Sequence, residues 1–374
     1  MNLQATIPER ATAKKYKSPL HEMTQTTPTC LWNDSAALEE LQYAIEHGAT
    51  GATCNPVIVL DVLKQEMHLW KDRIVELIRD MPTATEGEIA WALVEEISAT
   101  RAKLLKHIFD AHKGRNGRLS IQTDPHFYRN TRALVDQAVR FSNLAPNMIV
   151  KIPVTTAGVA AIEEATAQGV NINATVCFTL PQSVAVAEAI ERGLRKRESA
   201  GLDISTMGSV CTIMVGRLDD WLKVVMDKQN IITDPGYLEW AGVAVFKKTY
   251  ELYRQRGYRT RVLAAAYRNH MHWSELIGGD VVISPPSKWQ KRFNASDVTV
   301  ANRIDNPVDP KIVAELLKKF PDFGRAYNEH GIKVEDFDTF GPTVRTLRQF
   351  IEACDELGAQ IRDFMLPNPD KRLG

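Results

Sequence analysis

The chain carries no excess charge of either sign: its 374 residues contain 46 Lys plus Arg and 46 Asp plus Glu. A global field that would draw nucleic acid or an anionic membrane is therefore excluded, which leaves room only for a local basic pocket. Long apolar runs are absent too, and no window reaches the length of a transmembrane helix. Residues 1–19 are polar, carry Lys14-Lys15 and lack an apolar centre, so they read as neither a signal peptide nor a span. Cysteine is scarce and odd in number: Cys30, Cys54, Cys177, Cys211 and Cys354 show no CxxC or other ligand spacing. That pattern predicts reduced thiols in a soluble cytoplasmic protein. No glycine-rich phosphate loop follows the first strand-like run; Trp32-Asn33-Asp34-Ser35 stands there instead. A doubly wound, dinucleotide-binding sheet is accordingly disfavoured.

What is present is ordinary globular composition, 44% hydrophobic and 25% charged, in a length that suits two medium domains or one large barrel with additions. From residue 29 onward, short apolar runs alternate with longer amphipathic ones. Strands are predicted at 29–33, 51–55, 119–122, 148–151, 173–176, 209–214, 261–265 and 281–284. Helices are predicted from about 35 to 48, over 57–112 with a break near Met81-Pro82, and over 126–143, 158–167 and 181–201. A further helix runs through Trp221. Strands alternating with helices, without hairpin signals, argue for parallel βαβ units, and eight such units close into a barrel. The predicted fold is α/β, a (β/α)8 TIM barrel over 29–294, preceded by an N-terminal arm (1–28) and followed by a C-terminal helical extension (295–374). The extension has helical patterns at 310–320 and 342–363, separated by 323–340, and would cover either the barrel mouth or a subunit contact.

Lys151 ends the apolar run Asn147-Met148-Ile149-Val150-Lys151, which is too short for a helix and reads as a strand buried on both faces. A lysine at the carboxyl end of such a strand points to the usual active-site face of a barrel, where desolvation lowers its pKa and frees the amine as a nucleophile. The alternative is a lysine whose stem merely carries its charge out to water. The other strand-end residues would converge with it: Asp34, Asn55, Gln122, Asn173, Thr175, Thr212 and Arg268, with Arg217 one turn into the helix after strand six. An amine can form an iminium that acts as an electron sink, a carboxylate can take a hydroxyl proton, and two arginines can grip a phosphate. The set describes Schiff-base chemistry on a phosphorylated sugar.

At these positions the chain resembles a known family. Gly51-Ala52-Thr53-Cys54-Asn55-Pro56 is similar to the Thr-x-Asn-Pro signature of transaldolases, and Lys151-Ile152-Pro153-Val154-Thr155-Thr156-Ala157-Gly158 to their Schiff-base motif. Asn171 to Thr175, Thr212 to Arg217, and Ala266-Tyr267-Arg268-Asn269 resemble the next segments in order. The likeness covers about 29–290, and the tail resembles the long bacterial form. It implies that Lys151 forms the Schiff base and Asp34 is the acid/base. Asn55 and Asn173 would bind hydroxyls, Thr175 would help hold a catalytic water, Thr212 would contact substrate, and Arg217 and Arg268 would hold the phosphate. It also implies that no metal and no organic cofactor is needed. The expected partners are sugar phosphates, with no nucleic acid and no membrane, in a monomer or homodimer.

Some positions depart from that pattern. Gln122 stands where the family has a glutamate that works through water, and an amide cannot accept a proton near neutral pH. The related fructose 6-phosphate aldolases do have glutamine here, but with a tyrosine where this chain has Met214, a pocket-wall residue in our reading. Ala266 lacks a hydroxyl where serine is frequent, and Asp124 reads as structural. Considered alone, Asp34 suits a helix N-cap, Arg217 suits a surface pair with Asp219 or Asp220, and His270 and His272 suit loop or core positions. Three readings stay open: transfer of a dihydroxyacetone unit between sugar phosphates; aldol cleavage with free dihydroxyacetone, or action on a specialised sugar; and a catalytically weak sugar-phosphate binding barrel.

Overall fold

Strand residues in this chain are apolar without strict alternation, which suits a sheet covered on both faces, and the sheet they form is a closed barrel. The computed structural model of the protein describes residues 15–372. Its strands are β1 (Cys30–Asn33), β2 (Ala49–Cys54), β3 (Arg118–Gln122), β4 (Met148–Pro153), β5 (Ile172–Cys177), β6 (Val210–Met214), β7 (Arg261–Ala265) and β8 (Val282–Ile283). Each pairs in parallel with the next, and β8 closes on β1. The chain thus has the (β/α)8 barrel that its alternation predicts. Inside, Trp32, Ile149, Val210, Leu263 and Val282 form one packed layer. Gly51 on β2 makes room for it, because a Cβ there would lie 2.5 Å from the Trp32 indole nitrogen.

The helices of the first half are α1 (Pro19–Thr26), α2 (Leu38–Glu46), α3 (Pro56–Asp80), α4 (Glu86–Ala111), α5 (Thr131–Ser142), α6 (Thr156–Ala167) and α7 (Leu180–Ser199). Those of the second half are α8 (Val215–Gln229), α9 (Pro235–Leu238), α10 (Ala241–Arg256), α11 (Met271–Ser274), α12 (Ser287–Asn294), α13 (Pro310–Lys319), α14 (Pro321–Tyr327) and α15 (Gly341–Met365). Among the described residues no helix is long and apolar enough to cross a membrane. The predicted break in the long helical block falls between α3 and α4, where Thr85 caps α4 through a capping box with Glu88. Several points differ from expectation. The helix predicted from about 35 starts at Leu38. The 16-residue α10, which fills the space before β7, is not among the predicted helices, and neither are α1, α9, α11 and α12. The connection at 323–340 contains most of α14, anchored by buried Phe323, Phe337 and Phe340.

Helices α1 and α15, near the two ends of the described residues, pack on the barrel. Residues 1–14 of the arm lie outside the described residues, but α1 packs against α12, and its Met23 sulfur accepts a hydrogen bond from the Trp273 indole. Helix α15 buries a stripe that includes Leu347, Phe350, Leu357 and Ile361, and it packs on α3 and α4 while touching β5 and α8. It therefore crosses the carboxyl-end side of the barrel.

One buried network fixes the loop that leaves β1. Glu66, at a kink in α3, accepts from the Leu38 backbone N–H and pairs with Arg101 of α4, whose Nε donates to the Ala36 carbonyl at 2.8 Å. Removing one member would strand the other charge in a dry site. Arg101→Ala is expected to cost about 3–5 kcal/mol, read as a lowered denaturation midpoint; a loss below about 1 kcal/mol would show that the pair is solvated.

Candidate active site

The barrel's inward rows bring the strand-end residues together. Register pairs Gln122 of β3 with Lys151 of β4, and Lys151 with Asn173 of β5. Paired residues of adjacent strands share a face, and alternation along β4 puts Lys151 on the same face as Ile149, within the barrel. Lys151 is 6% exposed. Among the described residues its ammonium makes no hydrogen bond and no ion pair. Burial pushes its pKa below the ordinary lysine range, and the nearby Asp34 carboxylate pulls partly the other way. Burial thus favours the uncharged amine more than water does.

Its neighbours are held more firmly. Asn173 donates to Ser120 Oγ at 2.9 Å and accepts from Thr212 Oγ1 at 2.6 Å, which links β3, β5 and β6 in one polar belt. Gln122 is buried, and among the described residues its Oε1 has no hydrogen-bond partner. A buried acceptor left unpaired costs about 1–3 kcal/mol, so this oxygen marks a place where a ligand or water donor is wanted. Thr175 is buried on β5, two residues beyond Asn173 and next to Val176, whose φ of 56° is left-handed. For a β-branched residue that conformation costs roughly 1–3 kcal/mol, and it coincides with the register break between β5 and β6.

Asp34 does not cap a helix: α2 begins at Leu38 with Ala37 as its N-cap. The carboxylate instead accepts from Thr53 Oγ1 at 2.6 Å, and its charge bears on Lys151, on the buried Tyr267 hydroxyl and, after that of Asp220, on Arg217. Asn55 is the residue that caps, its Oδ1 accepting from Ile58 N at 2.9 Å, which leaves its amide NH2 for a ligand. Met214 ends β6 on the face of Thr212 and is buried.

The two arginines meet at the mouth. Gly216 lets α8 approach the loop after β7, since a Cβ would lie 2.1 Å from the Ala266 carbonyl and 2.7 Å from the Arg268 side chain. Arg217 does not pair with Asp219 or Asp220. It donates to Thr346 of α15 at 3.3 Å, lies over the Phe350 ring, and keeps its Nε buried and unpartnered. Burial, reinforced by Arg268, lowers its pKa to about 10. Arg268 pairs with Asp220 at 2.7 Å. Both guanidiniums line a cavity of about 340 Å³ shared with Arg345, Thr346 and Gln349 of α15.

Behind Arg268 runs a buried relay that the sequence did not disclose. The Gly242 N–H donates to Asp219 Oδ1 at 2.8 Å, Asp219 Oδ2 lies 2.8 Å from His272 Nε2, and His272 Nδ1 accepts from the Arg268 N–H at 3.1 Å. That last bond places the imidazole proton on Nε2, facing the carboxylate. His272 is thus a core residue that positions the Arg268 backbone. Thr53, Ser120 and Thr346 were likewise missed as supports. Thr53 was visible inside the Thr-x-Asn-Pro motif, whereas nothing local marks the other two.

The profile of the family described as Transaldolase/Fructose-6-phosphate aldolase matches residues 31–360. Among curated proteins, "Transaldolase 2" of Streptomyces avermitilis is 32% identical over 207 residues, covering 50% of this chain and 56% of that protein. "Transaldolase" of Thiobacillus denitrificans is 27% identical over 286 residues, covering 69% and 79%. "Transaldolase" of Thermobifida fusca is 29% identical over 216 residues, covering 54% and 56%. The chain thus spans a little over half the length of the first and third of these relatives.

The depressed Lys151 pKa has a stability consequence. Between the folded value and the ordinary lysine value of 10.5, the unfolded chain binds more protons than the folded one. Lys151 therefore destabilises the protein near neutral pH, and the penalty fades as pH rises to that value. Lys151→Met is expected to raise Tm at pH 7, with the gain shrinking toward pH 10. An unchanged or lowered Tm at pH 7 would mean that the amine is solvated.

Proposed function

The chain belongs to the transaldolase/fructose-6-phosphate aldolase family, and from that premise we propose that it transfers a dihydroxyacetone unit between sugar phosphates. The reaction is sedoheptulose 7-phosphate plus glyceraldehyde 3-phosphate to erythrose 4-phosphate plus fructose 6-phosphate. The observation that carries this reading is the enclosed, unpaired amine of Lys151, flanked in register by Gln122 and Asn173. The uncharged amine adds to the ketose C2 carbonyl, and water leaves the carbinolamine to give an iminium. Asp34, oriented by Thr53, takes the C4 hydroxyl proton as the C3–C4 electron pair moves into the iminium, which leaves an enamine and a free aldehyde. The acceptor aldehyde then re-forms the bond in the reverse sense, and water releases the product ketose.

The remaining residues bind and orient. Asn55 and Asn173 face substrate hydroxyls, and Thr212 supports Asn173. Thr175 and the unpaired Gln122 oxygen hold the water that makes and breaks the carbinolamine. Arg217 and Arg268, which share their cavity with the carboxylate of Asp220, receive the phosphate. These steps need neither a metal nor an organic cofactor, because the iminium is the electron sink.

Gln122 supports a second reading, an aldolase that releases free dihydroxyacetone, because the amide orients water without taking its proton. The two are separated by supplying fructose 6-phosphate with and without erythrose 4-phosphate. Sedoheptulose 7-phosphate formed only with the acceptor is the expected result. Free dihydroxyacetone without it supports cleavage, and binding without turnover overturns both. Gln122→Glu is expected to raise transfer relative to cleavage roughly tenfold or more, the scale of an added general base; an unchanged ratio contradicts the role given to position 122.

A further inference from the structure

We propose that Asp124, His126 and Cys354 form a binding site for a borderline-soft divalent cation, zinc above all, outside the barrel and separate from the Lys151 chemistry. Asp124 and His126 stand on the loop between β3 and α5, and Cys354 on α15, more than two hundred residues later in the chain. The fold brings one ligand atom of each within 4.8 Å of the others. Zinc bond lengths of about 2.0–2.3 Å put tetrahedral ligand atoms roughly 3.3–3.7 Å apart. The atoms therefore need to shift by about an ångström at their ends. One carboxylate, one imidazole and one thiolate make a donor set that suits zinc and leaves a fourth position for water.

The surroundings are those of a supported site. His126 Nδ1 lies 2.7 Å from Asp124 Oδ1, so an ion shared by the two takes Nδ1. Its Nε2 faces Asp355 Oδ1 at 3.4 Å, the outer carboxylate that commonly orients a metal-bound histidine. The other Asp124 oxygen accepts from the Trp91 indole at 3.0 Å, and the Asp124 N–H donates to Gln137 at 2.6 Å, which fixes the loop. The cluster opens on a cavity of about 1180 Å³. Its lining carries six carboxylates against two guanidiniums, Arg140 and Arg362, which are already paired with Glu95 and Glu86. Such a cavity attracts cations. On binding, the Cys354 S–H bond breaks, its proton passes to solvent and the thiolate binds the metal, with no change of oxidation state. The ion would clamp α15 to the loop two residues beyond Gln122.

Cobalt(II) added to the full-length protein tests this without recourse to sugar chemistry, so it stands or falls independently of the Schiff-base reading. The expected result is a thiolate-to-cobalt charge-transfer band that saturates at one equivalent and is displaced by zinc. Cys354→Ser, nearly isosteric, should abolish the band, while Cys30→Ser, which removes the other half-buried thiol, should leave it intact. His126→Ala should weaken binding on the order of 100-fold, and Asp355→Asn about tenfold. Zinc should raise the Tm of the parent chain and not that of Cys354→Ser. No band, or a band that survives Cys354→Ser in folded protein, overturns the proposal.

Discussion

The rest of the site depends on one desolvated amine. Among the described residues Lys151 has no hydrogen bond or ion pair for its charge, and what relieves it is the through-space pull of Asp34, with a smaller one from Cys54. An isolated buried ammonium is costly enough that the group tends to shed its proton. The packed layer below it, Trp32, Ile149, Val210, Leu263 and Val282, keeps water out from beneath. The Ser120–Asn173–Thr212 belt satisfies its own polar atoms without drawing on the lysine. Stability and reactivity are opposed here, and the barrel supplies enough of the first to hold the second in place.

The two halves of the site are built differently. Groups around the amine come from strand residues in fixed register, which holds them in defined positions. The half that holds the two arginines comes from a helix start, a loop and the C-terminal helix, brought together by Gly216 and steadied by the Asp219–His272 relay. The tail is therefore part of the site's architecture, since Thr346 and Phe350 of α15 hold the Arg217 side chain.

Much of this was legible in the sequence. Eight apolar runs separated by helical patterns gave the barrel, because parallel strands buried on both faces leave a distinct signature. Lys151 and its neighbours at strand ends could be found because strand termini follow from Pro, Gly and polarity. What escaped was set by distance along the chain. Asp34 suited an N-cap in sequence, but its partner is Thr53, nineteen residues on. Arg217 had acids within one turn, yet those acids are taken by Arg268 and His272, and its own partner lies 129 residues away. Helix α10 escapes a periodicity reading because its first two turns, 241–247, are buried on every side and so show no clean amphipathic stripe.

The account is tested most directly by trapping the covalent link between Lys151 and a ketose. Fructose 6-phosphate with borohydride should add one reduced sugar unit to the intact mass, on the peptide that contains Lys151, and Lys151→Met should carry none. An unaltered mass, or label on another lysine, would contradict the assignment of this amine as the nucleophile.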